Sequence, residues 1–387
     1  MTGVMATSPL MLDANATEPL RPQARAAVLA ALDLGGNPSS VHAAGRTARR
    51  MLEACREQVA ACFGARPQEV VFTSGGTEAN ALAVRGLGRG RRVLVGATEH
   101  AAVRAAAPGA ETLPVLSDGT ADLEALAALL AVGAPALVCL MAANNETGVL
   151  HPLDAVLALC RRHGALLHVD AVQAAGRLPL DLAAMGADSL ALSGHKLGGP
   201  PGAGALLLRP GLELPALIAG GGQERGRRGG TEPLPAIAGF AAAAEAADPA
   251  ASVRLGRLRD RIEAGVRALA PEVTIAGSAA PRLPNTACII LPGVPAETQV
   301  IALDLAGIRV SAGAACSSGK VARSHVLEAM GFAEHAGCGI RVSLPWNAAD
   351  DAPERFLAAW AAMRNRISGR PSGLPRDPDG CPSRRAA

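Results

Sequence analysis

Tyrosine is missing from this 387-residue chain, and 5 Phe and 2 Trp bring the aromatic share to only 2%. A core with so few rings must be filled by the Ala, Leu and Val that dominate the 49% hydrophobic content. Lysine is nearly as scarce. Of 37 basic residues only Lys196 and Lys320 are lysines, so chemistry that needs a deprotonatable amine must use one of them, since Arg stays charged. An Arg-rich coding bias would explain the average but not the two survivors. The eight cysteines include no C-x-x-C pair and no zinc-type Cys/His spacing, so no metal site is expected and the thiols read as buried groups in a reducing compartment. No long block of like charge accompanies the net charge of +3, which argues against nucleic acid as a partner. The N-terminus lacks the charged-then-apolar pattern of a secretory signal, which sets a cytoplasmic expectation. One uncharged run, 125–143, is long enough for a membrane span. Gly133 and Pro135 interrupt it and its second half reads as a buried strand, so no membrane is expected.

The length exceeds what one ordinary core supports, which predicts a large and a smaller domain. From about residue 68, short apolar runs at 69–73, 93–95, 112–115, 136–141, 166–169, 189–192 and 205–208 alternate with helical stretches. That alternation predicts an α/β fold, a largely parallel sheet with helices on both faces. After a Gly/Arg-rich stretch at 220–230 come two helical patterns between 234 and 269. Shorter strands at 273–276, 286–291, 308–311 and 339–344 follow, then a helix over 350–367. The expected organisation is a large domain over 12–250 and a small α+β domain over 251–367, with residues 1–20 packing on the small one. Residues 368–387 lack apolar periodicity and are expected to be a disordered tail.

In an open parallel sheet, ligands sit at the carboxyl ends of the strands, and three polar segments fall at such ends. Ser74-Gly75-Gly76-Thr77 opens a helix and could hold a phosphate on backbone N–H groups, or be only a turn and cap. Asp170, in His168-Val169-Asp170, could cap the next helix or pair with a buried cation. For a pyridoxal ring that cation is the pyridinium N–H. Lys196, in Ser193-Gly194-His195-Lys196 before a Gly/Pro turn, could be a solvated loop residue or a reactive amine. The scarcity of lysine favours the second reading. Phosphate cradle, carboxylate and lysine in this order describe a pyridoxal 5'-phosphate (PLP) site.

These segments, with Leu12-Asp13-Ala14-Asn15-Ala16-Thr17, Asn144-Asn145-Glu146-Thr147-Gly148, the 222–231 loop, Ser311 to Gly319 around Cys316, Ser324-His325-Val326-Leu327 and Arg341-Val342-Ser343-Leu344, make the chain resemble the cysteine desulfurases, class V of the fold-type-I PLP enzymes. The resemblance spans about 12–345. It implies that Lys196 attaches the cofactor and moves the substrate Cα proton, that Asp170 pairs with the pyridine nitrogen, and that Gln173 bonds the ring oxygen. His100 would stack on the ring. Gly76, Thr77, Ser193 and His195 would hold the phosphate, joined by Thr231 from a second subunit of a homodimer. Asn145 and Arg341 would grip the carboxylate of L-cysteine, and Cys316, in a Gly/Ser/Ala-rich segment expected to be a mobile loop, would receive the sulfur as a persulfide. A sulfur-acceptor protein, such as an iron–sulfur scaffold, would take it onward. Selenocysteine lyase is the alternative. Gly198-Gly199 and Leu344-Pro345-Trp346 depart from the family pattern.

Overall fold

The computed structural model describes residues 9–313 and 323–368. Cys316, Lys320 and the segment beyond Ser368, with Cys381, lie outside these, and so do the expected mobile loop and most of the expected disordered tail.

The chain enters through β1 (Leu10–Met11) and two helices, Pro22–Asp33 and Ala43–Cys62, before the main sheet begins. That sheet comprises β2 (Val70–Thr73), β3 (Arg92–Gly96), β4 (Glu111–Leu113), β5 (Ala136–Met141), β6 (Leu166–Asp170), β7 (Ser189–Ser193) and β8 (Gly204–Leu208). Its seven strands lie in the order β2-β8-β7-β6-β5-β3-β4. All neighbours pair in parallel except those of β8, which runs against both β2 and β7. The α/β expectation is met. The central strands are mostly apolar because helices cover both faces, with the polar residues of β6 and β7 falling at His168, Asp170, Ser189 and Ser193. β5, Ala-Leu-Val-Cys-Leu-Met, is buried at all six positions. With each large aliphatic side chain stabilising by roughly 1.5–3 kcal/mol on burial, a charge placed there would break the strand. The uncharged 125–143 run divides as the turn residues indicate, into the helix Leu123–Ala131 and β5, with Gly133 at φ 84° between them. No helix among the described residues is long and apolar enough to cross a membrane.

A four-stranded sheet follows, ordered β12-β13-β10-β9, from β9 (Thr274–Ile275), β10 (Thr286–Ile290), β12 (Ser311–Ala312) and β13 (Gly339–Ser343). It has its own core, in which Phe356 and Trp360 of the last helix, Ala352–Ser368, pack on Ile289, Ile340 and Leu258. The single strand expected over 308–311 is in fact two. β11 (Ile308–Arg309) pairs with β1, whereas Ser311 and Ala312 pair with β13. Leu10 and Leu12 join this second core. The next residues cross to the main sheet, where Glu18 forms a buried ion pair with Arg177. The described part of the N-terminal segment thus touches both sheets.

Two sequence departures fit together here. Trp346 donates from its indole N–H to the Pro19 carbonyl at 2.9 Å, and the Arg21 guanidinium lies 4.7 Å from its ring centroid. Arg21 also donates to the Leu197 carbonyl, next to Gly198, whose φ of 87° favours glycine. The Gly/Arg-rich stretch is pinned too. Glu224 is buried, takes both prongs of Arg56 at 2.7 Å and accepts from the Phe72 N–H, while Arg228 pairs with Glu78 in the first turn of the helix Gly76–Leu87.

Candidate active site

A cavity of about 590 Å³ opens at the carboxyl ends of β2, β3, β5, β6 and β7. Gly76, Thr77, His100, Asn145, Asp170, Gln173, Ser193, His195, Lys196 and Arg341 all line it. Thr231 does not; it is exposed on its loop.

Lys196 ends a single 3-10 turn, Gly194–Lys196, at the end of β7. Its Nζ donates to the carbonyls of Asn15 at 2.5 Å and Ala16 at 2.8 Å. Burial, reinforced by the positive charges of Arg341 and Arg177 and only partly opposed by Asp13 and Asp170, lowers its pKa to about 8. A lysine so poised can exchange its proton near neutral pH. Asp170 is 6% exposed at the end of β6; Oδ1 accepts from the Val172 N–H at 2.9 Å and Oδ2 from the Asn80 amide at 2.6 Å. Burial pushes its carboxyl up, against those two bonds and the positive charges of His100 and Lys196. His100 caps the helix Ala101–Ala106, and enclosure lowers its pKa, helped by Lys196.

The helix Gly76–Leu87 aims its N-terminus into the cavity, and first-turn N–H groups have no acceptor within a helix. A Cβ on Gly76 would come within 2.7 Å of the Val172 side chain, so only glycine leaves this cradle open. Ser193 stands beside it. His195 turns Nδ1 toward the Thr17 hydroxyl at 3.3 Å, and burial, then Lys196, lowers its pKa to about 4. Gln173 donates to the Asn15 carbonyl and accepts from Arg177. Arg341 on β13 donates to the Asn145 carbonyl at 3.1 Å and to Asp13 at 2.7 Å, while its Nε is buried without a partner. An open anion cradle, a buried carboxylate, a lysine of depressed pKa and a guanidinium with a free donor are a donor set that suits PLP and an amino acid.

Residues 10–352 match the family described as Aminotransferase class-V. The chain is 46% identical over 350 residues to a cysteine desulfurase of Cereibacter sphaeroides, covering 86% of this chain and 90% of that one. It is 41% identical over 355 residues to an IscS-like cysteine desulfurase of Mycobacterium tuberculosis, covering 86% and 90%. The chain belongs to the class-V aminotransferase family. A NifS-like protein from Rickettsia africae superposes with a TM-score of 0.86 at 33% identity, over 92% of this chain and 99% of that one. Class-V members of this kind use PLP, and PLP is the cofactor of this chain.

Residue-type reasoning passed over several groups at this class-V site. Asp13 and Asn15 arrive on the N-terminal segment, Asn80, Glu146 and His325 line the wall, and His168 lies behind Asn80. Two of these left a signal in the sequence: His168 shares a strand face with Asp170 by the two-residue period, and Asn80 follows the glycine cradle by one helical turn. Among the described cysteines, burial raises the thiol pKa of Cys55 to about 11 and of Cys160 and Cys288 to about 12, and that of Cys139 well above its usual value. Cys62 and Cys338 are only half-buried, short of the burial expected for them.

Proposed function

We propose that this protein is a PLP-dependent cysteine desulfurase that converts L-cysteine to L-alanine and leaves the sulfur as a persulfide on Cys316. What carries the reading is the meeting of Lys196, Asp170 and Arg341 in one cavity, in a chain whose relatives are named cysteine desulfurase. No observation favours the selenocysteine lyase alternative.

When bound, PLP withdraws electrons from the substrate Cα through its ring. Asp170 would supply the negative charge for the pyridine nitrogen, and the N-terminus of the helix Gly76–Leu87, with Thr77, Ser193 and His195, would hold the phosphate. His100 would lie beside the ring, and the Gln173 amide, which donates to the Asn15 carbonyl, would be available to the ring oxygen. The free Nε of Arg341 and the side chain of Asn145 take the substrate carboxylate, a two-pronged match for a planar anion. This fixes the Cα–H toward Lys196, whose pKa of about 8 suits a group that removes and returns a proton. Cys316 receives the sulfur as a thiolate. Its S–S bond to the substrate forms as the substrate C–S bond breaks, the bonding pair stays with carbon, and a proton completes alanine.

Several finer assignments accompany this reading. The division into 12–250 and 251–367 is supported by two sheets with separate cores. A homodimer in which Thr231 reaches the neighbouring site is supported by the exposure of Thr231 and the pinned 222–231 loop. We further propose a cytoplasmic enzyme that passes sulfur to an iron–sulfur scaffold or another carrier, the transfer being in keeping with the IscS-like and NifS-like relatives.

The test is to incubate wild type and Cys316→Ser with cysteine carrying radiolabelled sulfur and map the labelled peptide. Label on the Cys316 peptide, with alanine release lost in the variant, is expected. A hydroxyl is hardly ionised near neutral pH and cannot replace the thiolate. Full turnover in the variant with label on Cys338 or Cys381 would remove the proposal.

A further inference from the structure

Two buried carboxylates meet at the cavity: Asp170 lines it, and Glu99 lies close enough for the charge of Asp170 to raise its pKa. Asp170 is 6% exposed and Glu99 0%. Two like charges at such a spot cannot both persist without compensation, so one group must hold a proton. The hydrogen bonds around them differ sharply. Asp170 receives the Val172 N–H on one oxygen and the Asn80 amide on the other. Glu99 receives only the Met141 N–H on Oε1, and its Oε2 is buried with no partner.

Behind Asp170 the contacts continue inward. Asn80 Oδ1 lies 2.9 Å from His168 Nε2, and His168 Nδ1 lies 2.8 Å from the Ser189 hydroxyl. Asn80, His168 and Ser189 are all buried, at 1%, 0% and 0% exposure, so the four side chains satisfy one another. A neutral imidazole has one N–H and one acceptor nitrogen, and an amide has a donor end and an acceptor end. The series can therefore run in only two ways. In one, the Ser189 O–H donates to His168 Nδ1, His168 Nε2–H donates to Asn80 Oδ1, and the Asn80 amide donates to an ionised Asp170. In the other, every bond is reversed and Asp170 must carry the proton. The structure assigns the Asn80 nitrogen to Asp170 Oδ2, which is the first arrangement.

We propose that Ser189, His168 and Asn80 form a one-way hydrogen-bond relay that assigns the negative charge of this carboxylate pair to Asp170 and leaves the proton on Glu99 Oε2. The relay residues are positioning residues, since none of them reaches the reacting atoms. The inference deepens the reading of Asp170 as the partner of the pyridine nitrogen, and rests on it. Burial holds His168 neutral, with a pKa of about 3, and lifts the Glu99 carboxyl well above its usual range. The other titratable groups facing Asp170 are His100, from the loop after β3, and Lys196, after β7, each acting in its protonated form. Both favour a negative Asp170. A polarised series of donors strengthens each successive bond, which is how a carboxylate can stay ionised without water.

The tautomer of His168 reports the direction of the relay. In ¹⁵N-histidine-labelled protein, with and without PLP, the proton is expected on Nε2 near neutral pH. A proton on Nδ1, or a charged ring, would overturn the proposal. Infrared spectra of protein with ¹³C-labelled Asp and Glu carboxyls, read against Asp170→Asn and Glu99→Gln, should show Asp170 ionised and Glu99 protonated; the opposite assignment refutes the relay. In Asn80→Ala the protonated Asp170 signal should appear and PLP should bind roughly tenfold more weakly or worse. An ionised Asp170 with unchanged PLP affinity in the folded variant counts against it. Should that variant not fold, Ser189→Ala removes only the outermost donor and should release His168 into a mixture of tautomers; a single Nε2–H form there would be contrary evidence. The measurements without cofactor decide the relay even if the protein proves not to turn over cysteine.

Discussion

Replacing Arg341 by alanine should weaken cysteine recognition and at the same time retune Lys196. The guanidinium is 7% exposed, bound to Asp13 and to the Asn145 carbonyl, with its Nε unpartnered. Truncating one side of a dry charged pair costs about 2–5 kcal/mol. Here the lower part of that range applies, because Asp13 already occupies one prong and is partly exposed, so the substrate carboxylate gains less than a fully free fork would give. A loss of about 2–3 kcal/mol corresponds to a roughly 30- to 150-fold fall in kcat/KM, mostly through KM. The second effect follows from charge. Arg341 is the largest electrostatic contributor that lowers the Lys196 pKa to about 8. Removing that positive charge makes the ammonium easier to keep, so the midpoint at which activity rises with pH should move upward in Arg341→Ala. Steady-state kinetics from pH 6 to 10, with PLP binding measured spectroscopically as a control, check both. An unchanged KM and an unmoved pH profile in a folded, PLP-loaded variant would return Arg341 to a structural role on β13.

Borohydride reduction of the loaded protein should fix the cofactor on the peptide containing Lys196, and Lys196→Ala should lose that attachment; fixation on Lys320, the other lysine, would overturn the site assignment. Acid should destabilise the fold through its buried imidazoles. Burial lowers His168 to about 3 and His151 to about 4, so both stay neutral in the fold while the unfolded chain takes up protons below about pH 6.5. Their contribution is complete above that pH and is lost progressively as pH falls toward the folded values. Urea denaturation at pH 7 and pH 5 should show this, with a smaller difference in His151→Gln; an equal or larger difference in that variant would refute the assignment.

The sequence by itself determined the sheet and most of the site's membership. Short, mostly apolar runs rich in Val, Leu and Ala, alternating with helical stretches, read as strands covered on both faces, so most of the main sheet was legible from period and composition. Polar residues at their carboxyl ends had to gather on one edge of a parallel sheet, which is why the glycine cradle, Asp170 and Lys196 are legible in the sequence. Arg341 and Asn145 came from the motif resemblance, since nothing local marks an arginine on a short strand as a carboxylate anchor. What only the tertiary structure decided are the contacts between segments far apart in the chain. The 308–311 run changes partner at Val310 because β1 and β13 both claim it. The Asn15 carbonyl meets Lys196 and Gln173 across more than 150 residues. Direction and protonation belong to the same class. Whether Asp170 or Glu99 carries a charge depends on which donors burial leaves around each, and no spacing along the chain records that.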